Sequence, residues 1–240
     1  MTRALALSLV LVGCGFRIEG GSQPDDARRD SSSGGEVAID GAIDATTDAR
    51  IDAPIDAPID APVPLSTDHP SIADTFIAMD AANTNYSGQS STLADGEPVR
   101  NALFKFDLST LPPLTVITSA ELHVWTDDDN GGTVTFHEVL QDWTESKATW
   151  NNRAAGMPWM TAGAEPPSRG TATVGTVDAL MTFTEYTVTI DTALVQKWAD
   201  TPATNFGLLL RTTNADGARF ATKEHAMTTR RPFLRITHLP

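Results

Sequence analysis

Asp142-Trp143-Thr144-Glu145-Ser146-Lys147-Ala148-Thr149-Trp150-Asn151-Asn152 brings two indoles, two carboxylates and a turn-forming asparagine pair together. The stretch is too polar for a core strand and too ordered in composition for a linker. Asp142 with Glu145 three residues on has the spacing of a capping box, which predicts a single helical turn. Trp143 and Trp150 supply two rings, each able to bury about 150–250 Å². The segment is therefore expected to close one end of a β-sandwich, with a ligand platform at that end as the alternative.

Outward from this stretch the apolar pattern is short and alternating, broken at regular intervals by turn residues, which predicts an antiparallel β-sandwich. Strands are expected over 74–79, 102–107, 119–126, 133–140, 171–177, 185–190, 206–212, 218–223 and 233–238. Parity turns Ala120, Leu122 and Val124 inward, and likewise Tyr186, Val188 and Ile190, and Leu234 with Ile236. Asn130-Gly131 is expected to make the left-handed turn of a hairpin. Val134 and Phe136 share a face with which Val139 is out of phase, so a β-bulge is predicted near His137 or Glu138. One helix is expected, capped by Asp191, carrying Ala193, Leu194 and Trp198, and ended by Pro202; Trp198 is read as a core plug.

The opening stretch also resembles the D-W-T-E…T-W-N-N signature of DNRLRE-type domains, which are related to a carbohydrate-binding-module family and occur in secreted bacterial proteins. Further blocks follow the same order: Leu103-Phe104-Lys105-Phe106-Asp107-Leu108-Ser109 and Ser119-Ala120-Glu121-Leu122-His123-Val124 before it, then Gly207-Leu208-Leu209-Leu210, Phe220-Ala221-Thr222-Lys223-Glu224 and Arg231-Pro232-Phe233-Leu234 after it. The likeness spans residues 72 to 238. It implies a jelly-roll-like β-sandwich that binds a glycan. Where the family usually reads Ser-Arg-Glu, this chain has Thr222-Lys223-Glu224.

Composition sets the domain count. The 240 residues carry a formal net charge of −14. Residues 19–64, rich in Ala, Asp and Pro, hold eleven acids and three arginines, and residues 65–240 hold twenty acids and twelve Lys and Arg. Each part is net −8, and neither has the clustered basic residues that neutralising phosphates requires, which speaks against a nucleic-acid partner. The expected organisation is a signal peptide over 1–13, a disordered linker over 14–66 and one β-sandwich over 67–240 that is expected to be monomeric.

At the amino terminus, Arg3 precedes an apolar run from Ala4 to Val12 and then Gly13-Cys14. That run is far short of the roughly 20 apolar residues a bilayer span needs. Leu11-Val12-Gly13-Cys14 resembles the bacterial lipobox, which implies lipidation at Cys14. With a single cysteine the chain forms no internal disulfide. The resulting expectation is a cell-envelope protein on a lipid anchor, at the outer membrane, facing outward or into the periplasm. After it, Ile51-Asp52-Ala53-Pro54 recurs through Pro58 and Pro62. A proline in each repeat excludes helix, and like charges extend the chain into a semi-rigid spacer.

The chemistry read from the residues favours binding over catalysis. Asp142 and Glu145 could imitate the carboxylate pair of a glycosidase, but a capping box would occupy both with backbone N–H groups. No nucleophile elbow and no Gly-rich phosphate loop is present, so no catalytic residue is assigned. Lys105, Arg219 and Lys223, on strand faces turned from the core, would form a basic strip suited to a uronate-bearing polysaccharide if their strands are neighbours. Trp125 is a further candidate contact. Asp127, Asp128 and Asp129 are candidate metal ligands, with a structural calcium ion as the candidate cofactor. The reading from another class is a structural or adhesive envelope protein that binds a second protein; a glycan-active enzyme ranks behind both.

Overall fold

In a computed structural model, residues 62–129 and 131–240 are described. The readings on the signal peptide, Cys14, the repeats up to residue 61, and Asn130 lie outside these residues. Twelve strands and one α-helix follow in order among the described residues: β1 (Leu65–Ala78), β2 (Ser91–Gly96), β3 (Val99–Phe106), β4 (Val116–Asp128), β5 (Thr133–Glu138), β6 (Asn152–Ala154), β7 (Met157–Pro158), β8 (Gly175–Asp178), β9 (Thr184–Thr189), α1 (Thr192–Asp200), β10 (Leu208–Arg211), β11 (Ala218–Ala221) and β12 (Phe233–Leu239). No helix among them is long and apolar enough to cross a membrane.

All the strands except β6 and β7, which form a ribbon of their own, make up two antiparallel sheets. In the first, β4 pairs with β12 and β9, and its end pairs with β11. In the second, β3, β10, β5 and β8 lie side by side. β1 belongs to both sheets: Leu65 to Pro70 pair with β12, and from Ser71 onward the strand pairs with β3. The changeover falls at Pro70, which has no N–H to donate to a ladder. β2 likewise runs from β11 to β3. The all-β sandwich expected from alternation is the observed fold.

Parity places the interior correctly. Ala120, Leu122, Val124, Val188, Ile190, Leu234 and Ile236 are all buried between the sheets, with Phe104, Phe136 and Phe220. α1 closes this core with Leu194, Val195 and Trp198, capped by Asp191, whose Oδ1 accepts from Ala193 N at 2.9 Å. Gln196 fastens the helix to the start of β4, accepting from Ile117 N and donating to Thr115 O.

A second core covers the outer face of the second sheet. There Ile77, Leu103, Val139 and Leu209 pack under Trp143 and Trp159, with Trp150 at the margin. This explains three departures from expectation. Val139 is out of phase with Val134 and Phe136 because it faces this second core; β5 meets β10 in unbroken register through His137 and Glu138, so there is no bulge. The indoles of the opening stretch cover a sheet from outside and do not close the end of the sandwich; Trp143 donates to Phe206 O at 2.8 Å. Nor is there a capping box. Thr144 O accepts from Lys147 N and Ala148 N in a turn, Asp142 is exposed beside Lys105, and Glu145 Oε1 accepts from the distant Asp74 N at 3.0 Å.

Three further corrections concern a turn and two strands. Gly131 has the expected left-handed backbone, φ 61°, but β4 and β5 belong to different sheets, so the turn is a corner of the sandwich and not a hairpin. The expected strand over 171–177 is confined to β8. β2, with Leu93 as its one large apolar side chain, was not expected at all.

Candidate functional site

Between the end of β1 and β2 the chain makes a polar loop whose shape depends on Asn85. Its amide Nδ2 donates to Glu145 O and Ala148 O, both at 2.7 Å, and its Oδ1 accepts from Ser87 N and Ser87 Oγ. The loop is thereby pinned against the tryptophan-bearing stretch. Tyr86 comes to rest on Phe76 of β1, ring centroids 4.0 Å apart and planes 16° apart.

These rings form one wall of a hollow of about 300 Å³ that Arg100, Arg219, Gln89 and Ser91 also line. Arg100, at the start of β3, is held by Asp80 at 2.8 Å and Asp95 at 3.5 Å. The bond to Asp80 raises its already high pKa, so its charge is permanent. Arg219 lies opposite Leu93 in the β11–β2 ladder. Its side chain is 54% exposed, and Asp128 stands 3.6 Å away, beyond a good hydrogen bond. An exposed pair of that kind contributes little, so this guanidinium is available to a ligand. The stacked rings offer an apolar face to sugar C–H groups, and a planar guanidinium can take a carboxylate in bidentate fashion.

The residues singled out from the sequence are dispersed around this hollow. Arg219 lines it. Lys105 lines a different one, with Ile72, Asp142 and Phe206, and its Nζ is 3.3 Å from Asp142. Lys223 is engaged by Glu145 at 2.9 Å and by Glu224. Trp125 lies beneath Arg230, whose guanidinium is 4.3 Å from the ring. The basic strip is therefore not continuous. Asp127 faces His225 at 3.9 Å and Asp128 faces Arg219. Among the described residues the carboxylates that converge are instead Asp74, Glu145 and Glu224.

Asp74 is the buried member of that trio, 1% exposed. Its Oδ2 accepts from Ser71 Oγ and Lys223 N, both at 2.9 Å. Burial and, behind it, the neighbouring Glu224 push its carboxyl up to about 7. Lys223 moves the other way from what its own burial would impose: bonds to Glu224 and Glu145 hold its proton more tightly than usual. The same lysine keeps Glu224 below the ordinary carboxylate range despite desolvation.

Tyr86 and Arg100 were not singled out from the sequence. Tyr86 sits in a loop with no periodicity, and Arg100 belongs to this hollow only through the pairing of β3 with β1 and β2. The one available signal was Asn85-Tyr86, a turn former beside an aromatic in an otherwise polar loop.

No curated protein matches this chain. Residues 66–238 match the model of carbohydrate-binding module family 96. With a two-sheet sandwich along the matched span and an aromatic and arginine-lined hollow upon it, the chain belongs to carbohydrate-binding module family 96.

Proposed function

We propose that this protein is a noncatalytic, lipid-anchored module of the DNRLRE type that binds an acidic polysaccharide at the Phe76–Tyr86 stack. The observation that carries the reading is the meeting of that stack with Arg100 and Arg219 in one hollow. Aromatic faces suit sugar rings of any charge, whereas two guanidinium groups on a domain of net negative charge select for a carboxylate-bearing sugar. Lipid display rests on Leu11-Val12-Gly13-Cys14, with the Ile-Asp-Ala-Pro repeats as the spacer that lifts the domain from the bilayer.

Titration calorimetry against uronate and neutral oligosaccharides tests the binding. A charge-assisted hydrogen bond contributes about 1.5–3 kcal/mol, so Arg219→Ala is expected to weaken uronate binding about 10- to 100-fold. Equal affinity for neutral and acidic sugars would contradict the acidic preference. For the anchor, radiolabelled palmitate is expected in the wild-type chain and absent from Cys14→Ser; equal labelling of both would refute lipidation at that residue.

The adhesive alternative has one feature in its favour. Leu180, Met181 and Phe183, in the β8–β9 loop, are all more than half exposed, and apolar loop tips are common protein contacts. Failure of the chain on every uronate and neutral glycan would bring that reading forward.

A further inference from the structure

The trio Asp74, Glu145 and Glu224 has a feature that glycan binding at the stack leaves unexplained. One oxygen of each carboxylate lies within 4.8 Å of the others. Two of the remaining contacts are costly. Asp74 Oδ1 and Glu224 Oε2 are fully buried, and neither has a hydrogen-bond partner among the described residues. Buried carboxylate oxygens are normally satisfied.

Asp74 is not free to turn away. Ser71 Oγ and Lys223 N both hold its Oδ2, which leaves Oδ1 buried without a donor. Glu145 is fixed in turn, because its Oε1 accepts from Asp74 N. Lys223 Nζ reaches Glu145 and Glu224, and it is the one cation in contact with the trio among the described residues. In the fully ionised form that a bound cation requires, three carboxylates and the one ammonium would carry a charge of −2.

We infer that Asp74, Glu145 and Glu224 form a calcium site, with Lys223 as a charged neighbour at its rim. The donor set is carboxylate oxygen alone, which suits a hard cation and offers nothing to zinc. Oxygens on opposite sides of a calcium ion stand about 4.6–5.2 Å apart, whereas magnesium demands a tighter octahedron near 4.1 Å. Carboxylates from three separate segments, spaced up to 4.8 Å apart, suit calcium's flexible coordination shell better than magnesium's rigid octahedron. A divalent charge also brings the cluster to neutrality with Lys223 still in place. Water completes the coordination on the side where Glu145 and Glu224 are partly exposed. The ion would join β1, the tryptophan-bearing stretch and the segment after β11, three regions that are far apart in sequence.

The test uses the full-length chain freed of metal with a chelator and titrated with calcium chloride near pH 7.5. One equivalent is expected to bind, with a rise of several degrees in the melting temperature at millimolar calcium. Glu224→Gln and Asp74→Asn are each expected to weaken this binding at least tenfold, while Asp127→Asn leaves it unchanged. Lys223→Gln supplies a readout that misfolding cannot imitate: removing the ammonium is expected to tighten calcium binding several-fold. No uptake at millimolar calcium, uptake unaffected by both Asp74→Asn and Glu224→Gln, or weaker binding in Lys223→Gln would overturn the site. None of these outcomes depends on whether a glycan binds.

Discussion

Replacing Trp198 with alanine is expected to destabilise the domain by about 3–5 kcal/mol, the usual cost of emptying a large aromatic site in a core. Trp198 is completely buried. It is the largest side chain that α1 places between the sheets, and Leu194 and Val195 enter beside it. The core cannot readily collapse into the space, because members of the same cluster such as Phe104, Phe136 and Leu208 sit on strands held in ladder register. For a domain of this size the loss corresponds to a fall in melting temperature of roughly 10 °C. Urea unfolding measures it directly: the midpoint should drop with little change in slope. A loss below about 1 kcal/mol would show that the helix is peripheral to the fold.

Gly207→Ala is expected to be comparably damaging, at about 4 kcal/mol, through the backbone and not through lost packing. Gly207 has φ 85°, a conformation that L side chains rarely adopt. A Cβ there would run into the Phe104 carbonyl oxygen and lie 2.9 Å from Lys105 Cα. Relief requires β10 to move off β3, yet Gly207 O also accepts from Val139 N at 2.9 Å, so the strain reaches β5 as well. Thermal unfolding of this variant beside Gly88→Ala is the informative pair. Gly88 also has positive φ, but nothing lies within 4 Å of a Cβ at that position, so it should lose only the conformational part, about 1–3 kcal/mol. Equal losses in the two variants would refute the clash.

The strands that face the sandwich interior were legible because their alternation is a local signal. Ala120, Leu122 and Val124 show it within six residues, and the helix announced itself by Asp191 and Pro202. The second core was not legible. Its members Ile77, Leu103, Val139 and Leu209 occupy the opposite parity of strands already counted as buried on one face. A strand covered on both sides looks like a phase error when only one face is assumed, and Val139 was misread as a bulge for that reason. The hollow was half legible. Arg219 stood out by parity, but its partners are fixed by the pairing of β11 with β2 and by the loop that Asn85 pins. Joining Lys105 and Arg219 into one strip assumed that their strands are neighbours, and β3 and β11 are in different sheets. The carboxylate trio had no local spacing to find, since Asp74, Glu145 and Glu224 meet only after the chain has folded back twice.

The tryptophan-bearing stretch thus lies outside the proposed ligand hollow. It accepts the Asn85 amide through Glu145 O and Ala148 O, and so sets the loop that carries Tyr86. Its two carboxylates are engaged in ion pairs, Asp142 with Lys105 and Glu145 with Lys223. In the proposed reading, the domain meets a polysaccharide through the stack and its two arginines.

The most direct measurement compares Arg219→Ala with Lys105→Ala on one uronate oligosaccharide at fixed salt by titration calorimetry. Both variants remove one positive charge, so long-range attraction changes equally. Binding at the Phe76–Tyr86 hollow predicts a loss of about 10- to 100-fold for Arg219→Ala and near wild-type affinity for Lys105→Ala. The reverse order, or no loss in Arg219→Ala, would contradict it and move the glycan to the Lys105 hollow or away from both.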